Sequence, residues 1–429
     1  MSENNLDLTI EKLVTGGRGL ARHDGQAVFV AGTAPGDRVR VRPSQHRRGY
    51  QEAELVELLE PGPGRQAPPC PHYDRCGGCD LQHLTDDAQR RACREILLDC
   101  FRRLGGFDIA DLIEPDLTTP TLGYRNRLRL VANTIGHYGL IERGRHEVVP
   151  LATCPIMTEP FAATVLPWLR QLPPMEQVVV RLDGRGGWLL SLYGHASRQR
   201  VLRQILAGAN GQEPPAPGLQ GILLNNRPQW GRTYLVMHVA DGKYRVSHQS
   251  FFQSNLDAAA QIVATVRTWL ASDHPAATDL ADLYCGVGFF TVALADRFAR
   301  ILAADADASA LQDARENIRR RSPDLAERTL LRQGDVHTVL ADPENAAAVD
   351  WPEACAVVDP PRAGLGRPAL AALATLRPQT VVYLSCDPAT LARDCAALGA
   401  AGYRIRRVRP VTMFPQTSHL ETLVLLART

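Results

Sequence analysis

The sequence predicts a multidomain α/β protein with a small β-barrel first, a mainly β domain in the middle and a doubly wound sheet at the end. Short strand-like segments separated by glycine turns fill residues 6–60, and helical periodicity is scarce over residues 112–250. From residue 256 onward, apolar strands alternate with helices, which is the pattern of an open α/β sheet. A chain of 429 residues is long enough for several such domains.

The composition is that of an ordinary globular protein of the cytoplasm. Hydrophobic residues make up 45% and charged residues 22%, and 48 basic against 46 acidic residues leave a net charge of +2. No window approaches the ~18 apolar residues of a membrane span, and the first residues lack the apolar core of a signal peptide. We therefore expect neither secretion nor membrane insertion. The ten cysteines are then reduced thiols, metal ligands or catalytic groups rather than disulfides.

The first module is predicted to be an OB-like barrel of short strands. In DRVRVR, alternation places Arg38, Arg40 and Arg42 on one face of a strand. Such a face is either a solvated strand surface or a surface that follows a phosphate backbone, and this segment alone fits both. The strand candidates are Leu6–Val14, Leu20–His23, Gln26–Ala31 and Asp37–Arg42.

A linker, a helix and the central domain follow the barrel. Residues 61–64 alternate proline with glycine, which is typical of a linker. An amphipathic helix is predicted from about Thr85 to Leu104, with two glycines after it as a stop. The central segment contains strand candidates Val178–Leu182, Trp188–Tyr193 and Gly221–Asn225, and helical stretches Phe161–Leu172 and His195–Leu206.

The last module has the element order of a doubly wound sheet, which binds ligands at the carboxyl ends of its strands. Residues that follow the parallel strands are therefore the candidates for binding and chemistry. The strand candidates are Asp279–Leu283, Ile301–Ala304, Ala356–Asp359, Thr380–Ser385, Arg404–Val411 and Glu421–Leu426.

A glycine turn in DLYCGVGFFTVALA (282–295) joins the first of these strands to a helix. A Gly-x-Gly turn lets the backbone approach a ligand, and the helix start offers free N–H groups. Asp305 ends the next strand, where it can accept hydrogen bonds from ribose hydroxyls. Asp335 follows a third strand, where an acceptor for an adenine amino group would lie. Asp307 is the neighbouring alternative to Asp305, whose strand-end position we prefer. This set fits a pocket for S-adenosylmethionine.

Two further strand ends carry candidates for the chemistry. Asp359 precedes two prolines that stiffen its turn. Cys386 leaves its strand just before a helix begins, and a helix start favours a thiolate and hence a nucleophile. The alternative is that Cys386 is a small core residue. Glu421 precedes an apolar strand and is either a base beside Cys386 or an exposed glutamate at a strand start.

Three cysteines, Cys70, Cys76 and Cys79, lie within ten residues, and Cys154 follows alone. Four thiolates bind zinc or an iron–sulfur cluster. Zinc sites usually pair two Cys-x2-Cys units, whereas the single remote fourth cysteine, which a proline follows, favours iron–sulfur. A loop without metal is the remaining alternative.

Five motifs stand out in the last part of the chain: FFQSN (251–255), DLYCGVGFFTVALA (282–295), DPPRAGL (359–365), SCDPATLARD (385–394) and HLET (419–422). Together they resemble the RNA uracil-5 methyltransferases, a family that uses S-adenosylmethionine, and they occur in that family's order and spacing. The N-terminal barrel is similar to a TRAM domain, so the resemblance covers nearly the whole chain and implies a Rossmann-like methyltransferase domain at its end.

The resemblance implies a role for each matching residue. Cys386 would be the nucleophile and Glu421 the proton acceptor. This chain departs from the family at Asp387, where asparagine usually follows the cysteine, and at Phe289, where relatives often carry a polar residue. The last donor strand also lacks a close match around Asp335. The residues implied to line the methyl-donor pocket are Gln253, Tyr284, Asp305 and Asp359, with Asp335 as a further contact.

Members of the family with this cysteine loop carry a 4Fe-4S cluster, so the resemblance implies a structural cluster on Cys70, Cys76, Cys79 and Cys154. The loop and the TRAM-like barrel favour 23S ribosomal RNA over transfer RNA as substrate. We expect RNA as the partner, with no membrane and no obligate protein partner. Following the relatives, the predicted domains are 1–60, 61–84 with 113–250, and 85–112 with 251–429.

Arginine-rich segments are expected to supply phosphate contacts. In YRNRLRL (124–130), every second residue is an arginine (Arg125, Arg127 and Arg129), and YRIRRVRP (403–410) is expected near the active end of the sheet.

Two other functions fit parts of the sequence. A non-catalytic RNA-binding or ribosome-assembly factor would not need Cys386, Glu421 and the donor loop together. An amino-methyltransferase is suggested by Asp359 and its two prolines, but there an aromatic residue for base stacking would follow, and here Arg362 follows. A transfer RNA uracil-5 methyltransferase remains the alternative substrate assignment.

Overall fold

Residues 5–195 and 215–429 are described by a computed structural model, in which they form three sheets of six or seven strands and one two-stranded hairpin. The predicted helix His195–Leu206 lies outside the described residues beyond its first residue. Among the described residues, no helix is long and apolar enough to cross a membrane.

The N-terminal sheet has the strand order β1-β5-β6-β4-β3-β2 and curls around its own apolar core. The predicted strand Leu6–Val14 is two strands, because Ile10 turns into the interior and its N–H donates to the Asp37 carbonyl oxygen at 2.8 Å. The strands are β1 (Leu6–Thr9), β2 (Lys12–Val14), β3 (Arg18–His23), β4 (Gln26–Val30), β5 (Arg38–Arg47) and β6 (Tyr50–Glu60).

The predicted helix after the linker runs from Asp86 to Cys100, and a wider helical turn, Phe101–Gly105, extends it. Its N-terminus is capped by the Thr85 side chain, which accepts from the Ala88 N–H. Leu97 and Phe101 belong to the same hydrophobic core as the C-terminal sheet. The domain boundaries stay a prediction, and this packing favours grouping the helix with that sheet.

The central sheet has the order β13-β12-β11-β10-β7-β8-β9, and β14 pairs with β15 as a separate hairpin. Short helical turns lie at Ala110–Leu112, Phe161–Val165 and Leu166–Leu169. The strands are β7 (Arg127–Ala132), β8 (Tyr138–Ile141), β9 (Val148–Pro150), β10 (Gln177–Leu182), β11 (Trp188–Tyr193), β12 (Leu219–Leu224), β13 (Arg227–Gly231), β14 (Tyr234–Val239) and β15 (Gly242–Ser247).

The C-terminal sheet is doubly wound, as predicted, with the order β18-β17-β16-β19-β20-β22-β21. The first five strands in this order are parallel, and β22 and β21 add antiparallel pairs at one side. Separate hydrophobic cores cover its two faces. The strands are β16 (Asp279–Leu283), β17 (Arg300–Asp305), β18 (Thr329–Gln333), β19 (Ala354–Val358), β20 (Thr380–Ser385), β21 (Tyr403–Val411) and β22 (Glu421–Arg428).

Helices connect these strands and pack on both faces of the sheet. Their bounds are Leu256–Asp273, Phe289–Ala293, Ala308–Arg321, Pro323–Glu327, Val336–Ala341, Pro343–Ala346, Gly366–Leu376 and Pro388–Ala400, with short turns at Ala295–Arg297 and Trp351–Glu353.

Candidate active site

The predicted donor-pocket residues lie at one edge of the C-terminal sheet. Tyr284, Asp305 and Asp359 end or directly follow β16, β17 and β19. These three strands are parallel neighbours, so their carboxyl ends meet at the same edge. Asp335 follows β18, the next strand. The structure therefore brings the four acidic and phenolic side chains to one edge.

The glycine turn adopts a backbone that few side chains tolerate. Tyr284, Gly286 and Gly288 have φ angles of +66°, +54° and +80°, and glycine adopts such angles at little cost. The Gly286 N–H donates to the Asp305 carboxylate at 2.8 Å. Asp307 instead caps the following helix by accepting from two of its N–H groups. The geometry therefore favours Asp305 over Asp307 as the acid facing the turn.

Asp335 and Tyr284 share the outer part of this edge. Asp335 is exposed and its side chain makes no cap hydrogen bond to the helix that follows it. Burial raises the pKa of Tyr284 to about 12, and the nearby charges of Asp394, Asp335 and Asp305 add to that rise. Tyr284 thus lies within the electrostatic influence of the acids at this edge.

Gln253 and Asp359 form a direct contact at the centre of the edge. The buried side-chain amide of Gln253 donates to the Asp359 carboxylate at 3.2 Å, and the Asn126 side-chain amide donates to the backbone carbonyl oxygen of Gln253 at 3.1 Å. Burial, followed by the charges of Asp282 and Asp305, raises the pKa of Asp359 to about 7. An ionised Asp359 is thus costly until a cation lies beside it.

Cys386 and Glu421 lie side by side because of the strand register. Ser385, the last residue of β20, pairs with Thr422 of antiparallel β22, so the next residue on one strand faces the preceding residue on the other. Glu421 is buried, and Cys386 is partly exposed. Burial and then the charge of Asp359 raise the pKa of Glu421 well above its usual range, while Arg362 opposes the rise. The arrangement joins a thiol and a carboxyl within one small site.

The helix after Cys386 does not make the free thiol acidic. The side chain of Asp387 caps that helix and accepts from the N–H groups of Ala389 and Thr390, which takes up donors that would otherwise stabilise a thiolate. Burial and then the charge of Glu421 raise the pKa of Cys386 to about 11. The expected effect of the helix start is therefore outweighed by the groups around the sulfur.

A cleft leads from solvent to Cys386 and is shared by three parts of the chain. Thr15, Gly16 and Gly17 of the N-terminal barrel line one wall, and Arg362 and His419 line another. The Arg362 guanidinium lies 2.8 Å from the His419 ring nitrogen Nδ1. The barrel turn and His419 carry no sequence-predicted role, although His419 lies within the HLET motif.

The four predicted cluster cysteines converge on a second cavity. Cys70, Cys76, Cys79 and Cys154 all line one cavity of about 290 Å³. Burial, followed by the charges of the other cysteines, raises the pKa of Cys154 to about 12. Within residues 5–195 and 215–429, no group of three or more His, Cys, Asp or Glu side chains is arranged to hold a metal ion.

Comparisons with known proteins agree with this architecture. Residues 232–429 match the family model for tRNA (Uracil-5-)-methyltransferase, and residues 4–56 match the TRAM domain. A 23S rRNA (uracil(1939)-C(5))-methyltransferase of Chromohalobacter salexigens is 35% identical over 98% of this chain and 89% of its own length. The corresponding protein of Pectobacterium atrosepticum is 32% identical over 98% of this chain and 93% of its own length. This chain belongs to the RNA uracil-5 methyltransferase family.

A solved structure shares the fold of this methyltransferase over its full length. The tRNA (uracil-54, C5)-methyltransferase of Pyrococcus abyssi, crystallised with S-adenosyl-L-homocysteine, superposes with a TM-score of 0.74 and covers 98% of this chain and 99% of its own, at 22% identity. As a family member, the protein is an S-adenosylmethionine-dependent RNA methyltransferase. The predicted family, enzyme class and multidomain fold are confirmed.

Phe289, the residue after the glycine turn, lies in the protein core. Its ring is buried and packs against Tyr244, Phe252 and Phe290, with ring centroids 4.9–5.7 Å apart. A polar side chain in this cluster would lose its hydrogen bonds to water. The position therefore belongs to the core that supports the glycine turn.

The predicted arginine face of β5 is paired within the protein. Arg38, Arg40 and Arg42 lie on one face of β5, as predicted, but each pairs with a carboxylate at 2.7–2.9 Å. This pairing favours the solvated strand face over the phosphate-following surface.

The C-terminal arginine segment does not lie at the active edge along its whole length. The expectation is wrong for Arg404, which pairs in register with Ala427 beside Thr380, the first residue of β20. That places Arg404 at the opposite edge from Cys386. Arg407 and Arg409, further along, pair with Glu114.

Proposed function

We propose that this methyltransferase transfers a methyl group from S-adenosylmethionine to carbon 5 of one uridine in 23S ribosomal RNA, through a covalent bond between Cys386 and the uracil. The main support is the register of β20 and β22, which sets Cys386 beside Glu421 at the donor edge of the sheet. The relatives that are 32–35% identical over nearly the whole chain and are named for 23S rRNA support the choice of RNA. Such a substrate would place the protein in the cytoplasm.

Carbon 5 of uracil is a poor nucleophile, and addition of Cys386 to the ring makes it reactive. The Cys386 thiol releases its proton to solvent, and the thiolate adds to carbon 6 while the electron pair of the 5,6 double bond moves to form an enolate. S-adenosylmethionine, when bound, would supply an electrophilic methyl group; carbon 5 takes it up as the bond between that methyl group and the donor sulfur breaks, which leaves S-adenosylhomocysteine. Glu421 then accepts the proton from carbon 5, the double bond re-forms, and the Cys386 thiolate leaves.

The charge of the site supports this assignment. Asp359 raises the pKa of Glu421, and Glu421 and Asp359 both raise the pKa of Cys386, so ionisation of one carboxyl disfavours ionisation of these neighbours in the free protein. A sulfonium cation beside Asp359 favours ionisation of its neighbours. We infer that donor binding makes the thiol and the base available, with Gln253, Tyr284, Asp305, Asp335 and Asp359 as the pocket for the donor.

We also propose that Cys70, Cys76, Cys79 and Cys154 hold a 4Fe-4S cluster. Their shared cavity of about 290 Å³ leaves room for a cluster. The loop glycines fit closely around it: a Cβ on Gly78 would lie 2.9 Å from Leu140 Cδ1. A cluster there would stabilise the thiolates of Cys76, Cys79 and Cys154, which burial otherwise disfavours. Anaerobic purification with iron and sulfide analysis tests this; a colourless protein with one stoichiometric zinc would contradict it.

The substrate is tested by methylation with labelled donor. Unmodified 23S ribosomal RNA and unmodified transfer RNA are incubated with the protein, and the nucleosides are then analysed. We expect label as 5-methyluridine in 23S ribosomal RNA only. Label in transfer RNA would support that alternative substrate, methylated adenine would support the amino-methyltransferase hypothesis, and no label in either RNA would support a binding protein.

A further inference from the structure

The residue after the third cysteine connects the cysteine loop to the segment that leads into Glu421. The Asp80 carboxylate accepts from the Ser418 hydroxyl at 2.9 Å and from the Ser418 N–H at 3.2 Å. The backbone N–H groups of Asp80 and Leu81 both donate to the Gln416 carbonyl oxygen at 3.0 Å. Four hydrogen bonds thus join the loop at Cys79 to residues 416–418.

The same segment is held by other contacts from outside its own sheet. The Gln89 side chain donates to the Gln416 side chain and accepts from its N–H, each at 3.0 Å. Gln416 has a φ of +70°, a conformation that strains a non-glycine residue and persists only where the surroundings impose it. Tyr124 donates to the Pro415 carbonyl oxygen at 2.8 Å. The path of this segment therefore depends on its neighbours.

Residues 416–420 form the wall between the two cavities. Thr417 and His419 line the cysteine cavity, and Ser418 and His419 line the cleft that contains Cys386. Glu421 follows directly. The barrel packs on the same junction, because a Cβ on Gly17 would lie 2.9 Å from the Ser418 Cβ. A displacement of Ser418 would consequently be transmitted to Glu421.

Cys386 is positioned by contacts other than those that hold residues 416–420. It lies between β20 and the helix Pro388–Ala400, and its neighbour Asp387 caps that helix. The hydrogen bonds of the Asp80 side chain go to Ser418. Loss of the Asp80 carboxylate would therefore disturb the base and leave the nucleophile in place.

We propose that Asp80 is a positioning residue that ties the cysteine loop to residues 416–420 and thereby holds Glu421 within reach of the carbon 5 proton. This rests on the proposed roles of Cys386 and Glu421. Without the Asp80 carboxylate, addition of the thiol and methyl transfer proceed, but removal of the carbon 5 proton slows. The covalent protein–RNA intermediate then accumulates during turnover.

Asp80→Ala is the test, with Asp80→Asn as the conservative variant, because an amide oxygen still accepts from Ser418. We expect Asp80→Ala to lower kcat by about 10- to 100-fold, as small displacements of catalytic groups do. Because the slowed step follows methyl transfer, KM for RNA and donor should fall together with kcat, so that kcat/KM stays within about twofold of the parent. The iron and sulfide content should also stay within about twofold of the parent. The adduct on uridine RNA should rise to near one per protein, and Asp80→Asn should restore most of kcat. A loss of kcat without adduct, a loss of iron, or parent-like turnover would overturn the proposal.

Ser418→Ala removes the same hydroxyl bond from the other side. It should accumulate adduct as well, and the double variant Asp80→Ala/Ser418→Ala should be no slower than Asp80→Ala, because partners in one interaction are not additive. Additive losses would contradict the proposal. Asp74→Ala changes an exposed acid in the same loop and should leave kcat and adduct at the parent level.

RNA with 5-fluorouridine at the target separates this proposal from the proposed function. Fluorine cannot be removed from carbon 5 as a proton, so the parent and Asp80→Ala should both form one stable adduct per protein. If the parent forms no adduct, the proposed function fails. If the parent forms it and Asp80→Ala accumulates none on uridine RNA, only the role of Asp80 fails.

Discussion

Asp359→Asn should stabilise the free protein while weakening donor binding. Asparagine keeps an oxygen that accepts from the Gln253 amide, so the 3.2 Å contact is retained and only the charge is lost. The Asp359 pKa lies at about 7 against an ordinary 3.8, because burial and two neighbouring aspartates disfavour its ionisation. The unfolded chain ionises this carboxyl at lower pH than the folded protein does.

The size of the stability change follows from the linkage between protonation and folding. At ~1.4 kcal/mol for each tenfold change in an equilibrium, a rise of the pKa from 3.8 to about 7 costs the folded protein ~4 kcal/mol at pH 8. Part of the Asp359 surface is exposed, so solvent screening reduces this cost, and we expect ~2–4 kcal/mol at pH 8. At pH 4.5 the cost is only ~1 kcal/mol, because the folded protein still holds the proton. Native stability from this group therefore falls as pH rises from about 4 to 7.

Urea unfolding of the donor-free parent and Asp359→Asn at pH 4.5 and pH 8 measures the effect. We expect the variant to be more stable by ~1 kcal/mol at pH 4.5 and by ~2–4 kcal/mol at pH 8. The exposed acid Asp111 provides the control Asp111→Asn, with a change within ~0.5 kcal/mol at both values. Titration calorimetry should show at least ~10-fold weaker donor binding by Asp359→Asn, the loss of one charge-assisted contact. Equal stabilisation at both pH values, or destabilisation at pH 8, would refute the reasoning.

Three further predictions concern the thiol, the cluster and the barrel. Because the Cys386 pKa is about 11 in the free protein, kcat/KM for RNA, measured at donor concentrations well below the donor KM, should rise with pH up to pH 9. A plateau beginning below pH 7 in that pH–rate profile would mean that the thiolate is already formed in the donor-free protein. Cys154→Ala should lower the iron and sulfide content of anaerobically purified protein by more than half. Cys93→Ala, the control, changes a cysteine of the helix Asp86–Cys100 and should not lower it. Full iron content in Cys154→Ala would contradict the assigned ligand set. Arg40→Gln should weaken RNA binding by less than about twofold in filter binding, because Arg40 is paired with Asp7 and Glu57; a loss of tenfold or more would show that it contacts phosphate.

The element order of the last domain was predictable because apolar strands and glycine turns are local signals. The donor-edge residues followed from it, since parallel strands end at one edge. The adjacency of Cys386 and Glu421 needed the β20–β22 register, which the sequence does not specify. The ion pairs of Arg40 could not be predicted either, because its partners Asp7 and Glu57 lie on other strands.

The expected thiolate character of Cys386 could not be judged from the sequence, because Asp387 competes for the same helix N–H groups. The sequence places Cys386 before a helix, but the hydrogen bonds of Asp387 to the helix start depend on its side-chain orientation. The role of the barrel turn at Gly17 depends on how three distant segments pack. Such contacts between modules leave no periodic signal in the chain.

The covalent intermediate is the most direct test of the account. Glu421→Gln, incubated with unmodified 23S ribosomal RNA and S-adenosylmethionine, is digested with protease and nuclease and analysed by mass spectrometry. We predict a peptide in which Cys386 carries a uridine nucleotide with one added methyl group, and no such peptide from Cys386→Ala, which should also lack turnover. Methylation of carbon 5 by Cys386→Ala at the parent rate would contradict the account.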